Sequence, residues 1–261
     1  MNTVPLADTH VHLLAGLDDG PRTDDEALAM CRMLVAEGAR SAAATAHLHP
    51  EFPQNTPERI VAATARLAEQ LREQRIPLAV VPTAEIMLGD DLAERWRAGR
   101  LLSVGNLGQY LLVEMPHDAF LDYRPAAAAL QPLGIRIIVA HAERYEPLLH
   151  DPALAVEWIA AGCLMQVTAE AIADPSPHDE PAMKLWAQRG MIHLLGSDGH
   201  RIDRRKPELQ PGYAKLKKWM GTPAAERVAS IWGTAVLQGL PVNPPPPKPP
   251  TRSWFGRLFG G

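Results

Sequence analysis

Seven short apolar runs recur along the 261-residue chain, near 4–9, 41–46, 78–84, 110–114, 135–140, 163–168 and 192–197, and nearly all end in a histidine or a carboxylate. Segments with helical start and stop signals lie between them. Thr23-Asp24-Asp25-Glu26 has the form of a capping box, and Gly38 suits the residue just past a helix end. Thr56-Pro57-Glu58 opens the next helix with proline in its first turn. Strands alternating with helices predict a parallel sheet covered on both faces. A doubly wound sheet concentrates its site at one switch point, whereas a barrel gathers the ends of many strands on one rim. The repetition of polar residues at run ends therefore predicts a single closed or distorted (β/α) barrel of seven units over residues 1–240.

The residues at those ends share one chemistry. They are His10 and His12 in Asp8-x-His10-x-His12, Asp19 in Asp18-Asp19-Gly20, His47, Glu85, Glu114, His141, Asp198 and His200. Side chains alternate along a strand, so Asp8, His10 and His12 should share a face. Imidazole and carboxylate without thiolate suit Mn, Fe, Co or catalytic Zn. Nine such groups exceed the needs of one ion, so two or three divalent metals are expected. Asp8 is read equally as a ligand or as a group that orients His10. Asp18 is assigned to the turn at Gly20, and Asp19 to the metal. His49 and His117 are read as surface or supporting histidines, His193 as a core residue, and His150 and His178 as solvated. Met30, Met33, Trp158 and Trp186 are read as core.

Composition narrows the partners. A net charge of −4 and a pI of about 6.2 leave no basic footprint, so nucleic acid is not expected. The two cysteines, Cys31 and Cys163, form no CxxC, which argues against a disulfide framework or a thiolate zinc site. No secretory leader pattern and no run of about 18 apolar residues occurs, so a cytoplasmic protein is expected.

Two arginines give the cluster a use. Arg144 follows His141, and Arg205 follows the His200 loop. A guanidinium grips phosphate oxygens bidentately and offsets phosphoryl charge. Several metals beside arginines point to phosphoester hydrolysis.

In order along the chain, Asp8-x-His10-x-His12, Thr45-Ala46-His47, Ala84-Glu85-Ile86, Val113-Glu114-Met115-Pro116, the stretch from Ala140 to Tyr145 and Gly196-Ser197-Asp198-Gly199-His200-Arg201 resemble the PHP (polymerase and histidinol phosphatase) superfamily. Leu17-Asp18-Asp19-Gly20-Pro21 and the stretches around His141 and Asp198 are similar to its bacterial capsular and exopolysaccharide protein-tyrosine phosphatases. The resemblance spans residues 4 to 237. It implies a distorted seven-stranded (β/α) barrel with a trinuclear site, usually manganese-supported, with the nine groups above as ligands, Glu85 bridging, and Arg144 and Arg205 gripping phosphate. The implied substrate is the phosphotyrosine tail of a membrane-associated tyrosine autokinase that controls polysaccharide export. The chain departs from its relatives at His47-Leu48-His49-Pro50, in a loop expected to border the substrate entrance. No Cys-x5-Arg loop is present, which excludes a cysteine-nucleophile mechanism. Two alternatives share this sequence pattern: a phosphoesterase acting on a small metabolite, as histidinol-phosphate phosphatases do, and a catalytically silent metal-binding module that docks a kinase.

Residues 241–261 read as an appended segment. The proline run from Pro241 is expected to form a stiff extended linker that holds Trp254, Phe255, Leu258 and Phe259 away from the barrel. With Arg252 and Arg257 nearby, those residues are read equally as a weak contact with the inner face of an anionic membrane or a membrane-bound kinase and as a frayed end with an accidental aromatic patch.

Overall fold

The computed structural model describes residues 4–116 and 118–249. All seven expected strands form, as β1 (Leu6–His12), β2 (Ala39–Leu48), β3 (Ala79–Met87), β4 (Tyr110–Glu114), β5 (Arg136–Val139), β6 (Leu164–Thr168) and β7 (Leu194–Gly196). They pair in parallel in the order of the sequence. The chain after β7 returns to β1: the Asp198 N–H donates to the His10 carbonyl at 2.7 Å and the His12 N–H to the Gly199 carbonyl at 2.9 Å. The Thr9 hydroxyl reaches the Leu195 carbonyl at 2.9 Å. These contacts bring the ends of the sheet together into a distorted seven-stranded barrel.

The helices start where the local chemistry requires. In α1 (Asp24–Ala36) the Thr23 hydroxyl accepts from the Glu26 N–H at 3.3 Å. The expected capping box is modified, because Glu26 accepts from the N–H of Arg22, one residue before the cap. Gly38 follows at φ +91°, a conformation that costs glycine nothing. In α2 (Pro57–Glu73) the Thr56 hydroxyl caps Arg59, and Ile60, Thr64, Leu67 and Leu71 form the buried stripe.

The main apolar cluster lies between the strands and the helices around them. A second, smaller cluster joins Ala43, Leu112, Ile138, Leu164 and Leu194 to Val236, Leu237 and Val242. Leu112 and Glu114 share a strand face, as do Ala43 and His47, by the alternation of side chains. The inward faces are thus apolar toward the strand starts and polar toward the strand ends. Hydrocarbon plugs one mouth of the barrel and leaves the other for chemistry.

The proline run departs from expectation. It does not project from the barrel at once but is tied to it through residue 248. The Tyr110 hydroxyl donates to the Leu240 carbonyl and accepts from the Val242 N–H, each at 2.9 Å, and Arg136 donates to the Val242 carbonyl. Lys248 and Arg189 exchange two hydrogen bonds, at 2.9 and 2.7 Å. Tyr110 and Arg136 begin their strands, so this docking lies at the mouth opposite the polar rim. The segment Trp254–Phe259 lies outside the described residues, as does His117. Among the described residues no helix is long and apolar enough to cross a membrane.

Candidate metal centre

Glu85 occupies the middle of the polar rim and is 1% exposed. Its Oε2 lies 3.1 Å from His10 Nε2, 3.2 Å from His12 Nε2 and 3.3 Å from His47 Nδ1. Its Oε1 faces His141 Nε2 at 2.9 Å. The strand ends thus bring four expected imidazoles, from β1, β2 and the exit of β5, onto one carboxylate. The remaining expected residues complete three groups, in each of which the candidate ligand atoms lie within 4.8 Å of one another: His10, His12 and Asp198; His12, Asp19, His47 and His200; and Glu85, Glu114 and His141. Oxygen and imidazole donors alone make up these groups. Cys31 and Cys163 are buried elsewhere, and burial pushes both thiols up to about 12.

A backing layer aims the rings. Asp18 accepts from His12 Nδ1–H at 2.8 Å, and the Asp198 carbonyl accepts from His200 Nδ1–H at 2.8 Å. Gln166 Oε1 lies 3.3 Å from His10 Nδ1 and accepts from the His141 N–H at 2.8 Å. A carboxylate or carbonyl can only accept, so these contacts place the proton on Nδ1 and leave Nε2 free for a cation. Two glycines make room for this layer. A Cβ on Gly196 would sit 2.8 Å from both Gln166 Nε2 and His10 Cβ, and one on Gly199 would sit 2.6 Å from Pro207 Cα. Five described non-glycine residues have positive φ, and three of them, His141, Asp198 and Arg205 at +32°, +50° and +47°, belong to this rim, the other two being Arg75 and Asn106. Backbone in that region is costly for such residues, and strain of this kind collects at functional sites.

The electrostatics call for cations. Burial alone would push His12 down, but Asp18 and Glu85 beside it carry it up to about 9. Burial likewise opposes His47, which Asp19, Glu114 and Glu85 raise to about 11. Burial would raise Glu85, yet His10, His12 and His141 hold it well below the usual carboxylate range. Without metal, protonated imidazoles supply the positive charge that this many buried carboxylates need. Those protons must leave when metal binds. Further, His47 Nδ1 and Glu114 Oε1 face each other at 3.2 Å, and both are buried without a hydrogen-bond partner, as is His200 Nε2. Buried polar atoms left unpaired are costly, and divalent ions at the groups these residues belong to would satisfy them. The donor set fits such ions.

Arg144 and Arg205 both reach this rim. Each places Nη2 2.6 Å from the same oxygen, Asp198 Oδ2, and each remains about two-fifths exposed on a cavity of about 700 Å3 above the cluster. Two guanidinium groups on one oxygen leave most of their donors free for a ligand anion.

Other expectations are corrected or refined. His49, read as a surface or supporting residue, is buried with Nε2 3.5 Å from Glu114 Oε1, grouped with His47 and Glu114. It follows His47 by two residues, just past the end of β2, and that spacing is the signal for it. Asp8 does not share the cluster with His10 and His12, because the strand register shifts between Asp8 and Val11. Its Oδ1 accepts from the Ser197 N–H at 2.9 Å and from the His10 N–H at 3.1 Å, and burial raises its pKa to about 6. Asp18 serves the turn through the Gly20 N–H, as expected, and also backs His12. Met33 is only partly buried, whereas Met30, Trp158, Trp186 and His193 are core residues. Gln166 was not anticipated, since a glutamine in an apolar strand carries no metal signal.

Comparison with known proteins places this geometry. A family model described as capsular polysaccharide synthesis, CpsB/CapC, matches residues 6–238. The chain is 27% identical over 257 residues to the tyrosine-protein phosphatase YwqE of Bacillus subtilis (strain 168), covering 98% of this chain and 99% of that protein. It is 25% identical over 230 residues to the tyrosine-protein phosphatase CpsB of Streptococcus pneumoniae, covering 85% and 94%. Its structure resembles a crystal structure from a study of YwqE and CpsB as unique metal-dependent tyrosine phosphatases, with a TM-score of 0.85, 25% identity, and coverage of 95% of this chain and 100% of the other. A dihydropyrimidinase from Brevibacillus agri, at a TM-score of 0.55 and 12% identity over 91% of this chain and 72% of its own, shares the barrel alone. The chain belongs to the capsular polysaccharide synthesis CpsB/CapC family.

Proposed function

We propose that this protein is a metal-dependent tyrosine-protein phosphatase of PHP type, in which His10, His12, Asp19, His47, Glu85, Glu114, His141, Asp198 and His200 hold two or three divalent ions, most readily Mn. Its main support is the position of Glu85, which faces four imidazoles through two different oxygens while Arg144 and Arg205 overhang the same cluster. Glu85 is suited to bridge ions, and the names of the relatives agree with the chemistry.

When bound, the ions supply positive charge that polarises the phosphoryl group and makes hydroxide available at neutral pH. Arg144 and Arg205 would grip the non-bridging phosphoryl oxygens, exchanging part of their hold on Asp198 for the substrate. They would steady the charge that grows during the transfer. Water attacks phosphorus, the bond from phosphorus to the tyrosine oxygen breaks, and the phenolate leaves and takes up a proton. A phenol with a pKa of about 10 leaves without strong acid assistance. Asp18, Gln166 and Asp8 would hold the rings and the β7 exit in place through that cycle.

The substrate class we favour is phosphotyrosine on the tail of a membrane-associated tyrosine kinase tied to capsule or exopolysaccharide synthesis, supported by a family described by capsular polysaccharide synthesis and by relatives named tyrosine-protein phosphatases. Residues 1–240 would form the phosphatase domain. Residues 241–261 would be an appended segment whose first part lies along the domain and whose aromatic end makes a weak contact with a membrane surface or the kinase. A cytoplasmic site of action follows from that partner.

Assays on p-nitrophenyl phosphate and on a phosphotyrosine peptide, each with Mn, Zn or chelator, test the proposal. Metal-dependent release of phosphate from both substrates is expected. Activity on histidinol phosphate but not on the peptide would replace it with the metabolite phosphatase, and no turnover with any metal would leave a silent binding module.

A further inference from the structure

The cavity above the cluster is lined by the metal-type groups and both arginines, by apolar side chains, and by the carboxylates of Glu51, Asp118 and Glu146. Carbon comes from Phe52 and Pro147 and from the segment after β4, where Met115, Pro116, Ala119 and Phe120 follow Glu114 in the chain. Phe120 is 42% exposed. A single exposed apolar side chain is ordinary on a protein surface. This one is distinguished by lining the same cavity as Glu114, His141 and Arg144.

Its ring is also held in place. Phe120 stacks on Trp158, with centroids 5.8 Å apart and planes 18° from parallel, and Trp158 is fully buried. Trp158 leans on Tyr123 at 4.8 Å, and the Tyr123 hydroxyl donates to the Val113 carbonyl at 3.0 Å. Val113 precedes Glu114 on β4. The aromatic stack is therefore anchored to the strand that supplies a candidate ligand, which fixes the ring relative to the cluster. A flat apolar surface held rigid at the mouth of an anion site matches a ligand with a phosphate at one end and a ring at the other. Aromatic pairs gain from such offset or edge contacts beyond simple area burial.

We propose that Phe120 is a specificity-determining residue on which the phenyl ring of the phosphotyrosine packs, so that the cleft selects aryl over alkyl phosphomonoesters by ring contact. Phosphoserine and phosphothreonine offer no ring, and would leave this face wet. The proposal rests on the phosphatase reading above and adds the group that recognises the substrate's side chain.

Aryl phosphates also react faster because phenolate is the better leaving group, so turnover ratios alone do not isolate ring contact. Non-hydrolysable phosphonates remove that difference. With the Mn-loaded protein hydrolysing p-nitrophenyl phosphate, benzylphosphonate should inhibit at roughly tenfold lower concentration than methylphosphonate. In Phe120→Ser the two inhibition constants should come within about twofold of each other, at unchanged metal content, and Phe120→Trp should restore the preference. If Phe120→Ser does not fold, Phe120→Leu decides, because it keeps apolar volume and loses the flat face. An equal preference in wild type, or a preference that survives loss of the ring, overturns the assignment and leaves Phe120, with Leu121 beside it, as a surface for something else. A wild-type protein that hydrolyses no phosphomonoester with any metal fails at the phosphatase reading, before Phe120 is reached, and the ring contact falls with it.

Discussion

Nδ1 of His12 lies 2.8 Å from a carboxylate oxygen of Asp18, and this contact turns the opposite ring nitrogen toward Glu85, 3.2 Å away. The same Asp18 oxygen accepts from the His47 N–H at 3.1 Å, so one carboxylate sets both β1 and β2 ends. Asp18→Asn keeps the size and removes the charge. Metal affinity should fall by roughly 10–100-fold with the barrel intact, as is usual when a partner behind a ligand is lost. Metal titration with circular dichroism checks it, and unchanged affinity would reduce Asp18 to a turn residue.

Glu85→Gln leaves four imidazoles facing a neutral amide. Bound metal should drop by at least one ion per chain, and turnover should be abolished. Full metal content by elemental analysis would remove Glu85 from the bridging position.

Arg144→Ala removes one of the guanidinium groups on Asp198 Oδ2 but no candidate ligand. Catalytic efficiency should fall by about 2–4 kcal/mol of transition-state stabilisation with metal content unchanged. A loss under about threefold would return Arg144 to an ion-pair role.

His193 supplies a pH test apart from the site. Its Nδ1 accepts from the Met165 N–H at 2.9 Å, and burial, with Arg136 adding to it, pushes its pKa down to about 3. Between that value and an unfolded value of about 6.5, the unfolded chain binds a proton that the folded one excludes. The contribution of neutral His193 is therefore complete above pH of about 6.5. It declines by up to about 1.4 kcal/mol per unit as the pH falls toward the folded value. In chelator, wild type should show this extra slope relative to His193→Gln in urea melts. Parallel slopes would contradict it.

The proline run gives a test by truncation. Removing residues 250–261 should leave thermal stability and activity on p-nitrophenyl phosphate as they are. Removing residues 241–261 also exposes the cluster around Val242, which is 2% exposed, and leaves Tyr110 without its partner there. A loss of about 1.5–3 kcal/mol is expected from the valine alone. Equal stability of the two truncations would mean that the docked prolines contribute nothing.

The seven strands, their alternation with helices and the polar groups that end them are legible along the chain. Each of these is local: the apolar period makes the strand, and the residue that ends it is carried to the mouth of whatever barrel the strands close. Tertiary structure alone decided what those groups face. Asp8 and His10 are two residues apart, yet a register shift sends Asp8 to the Ser197 N–H and leaves His10 at Glu85. The burial of His49 depends on Glu114 arriving from a strand far away in the chain. Arg144 and Arg205 were each readable as phosphate grips, but only closure of β7 onto β1 brings them onto one oxygen of Asp198. The docking of the proline run depends on Tyr110 and Arg136 waiting at the strand starts. Periodicity specifies which way a side chain points; only packing specifies what it meets.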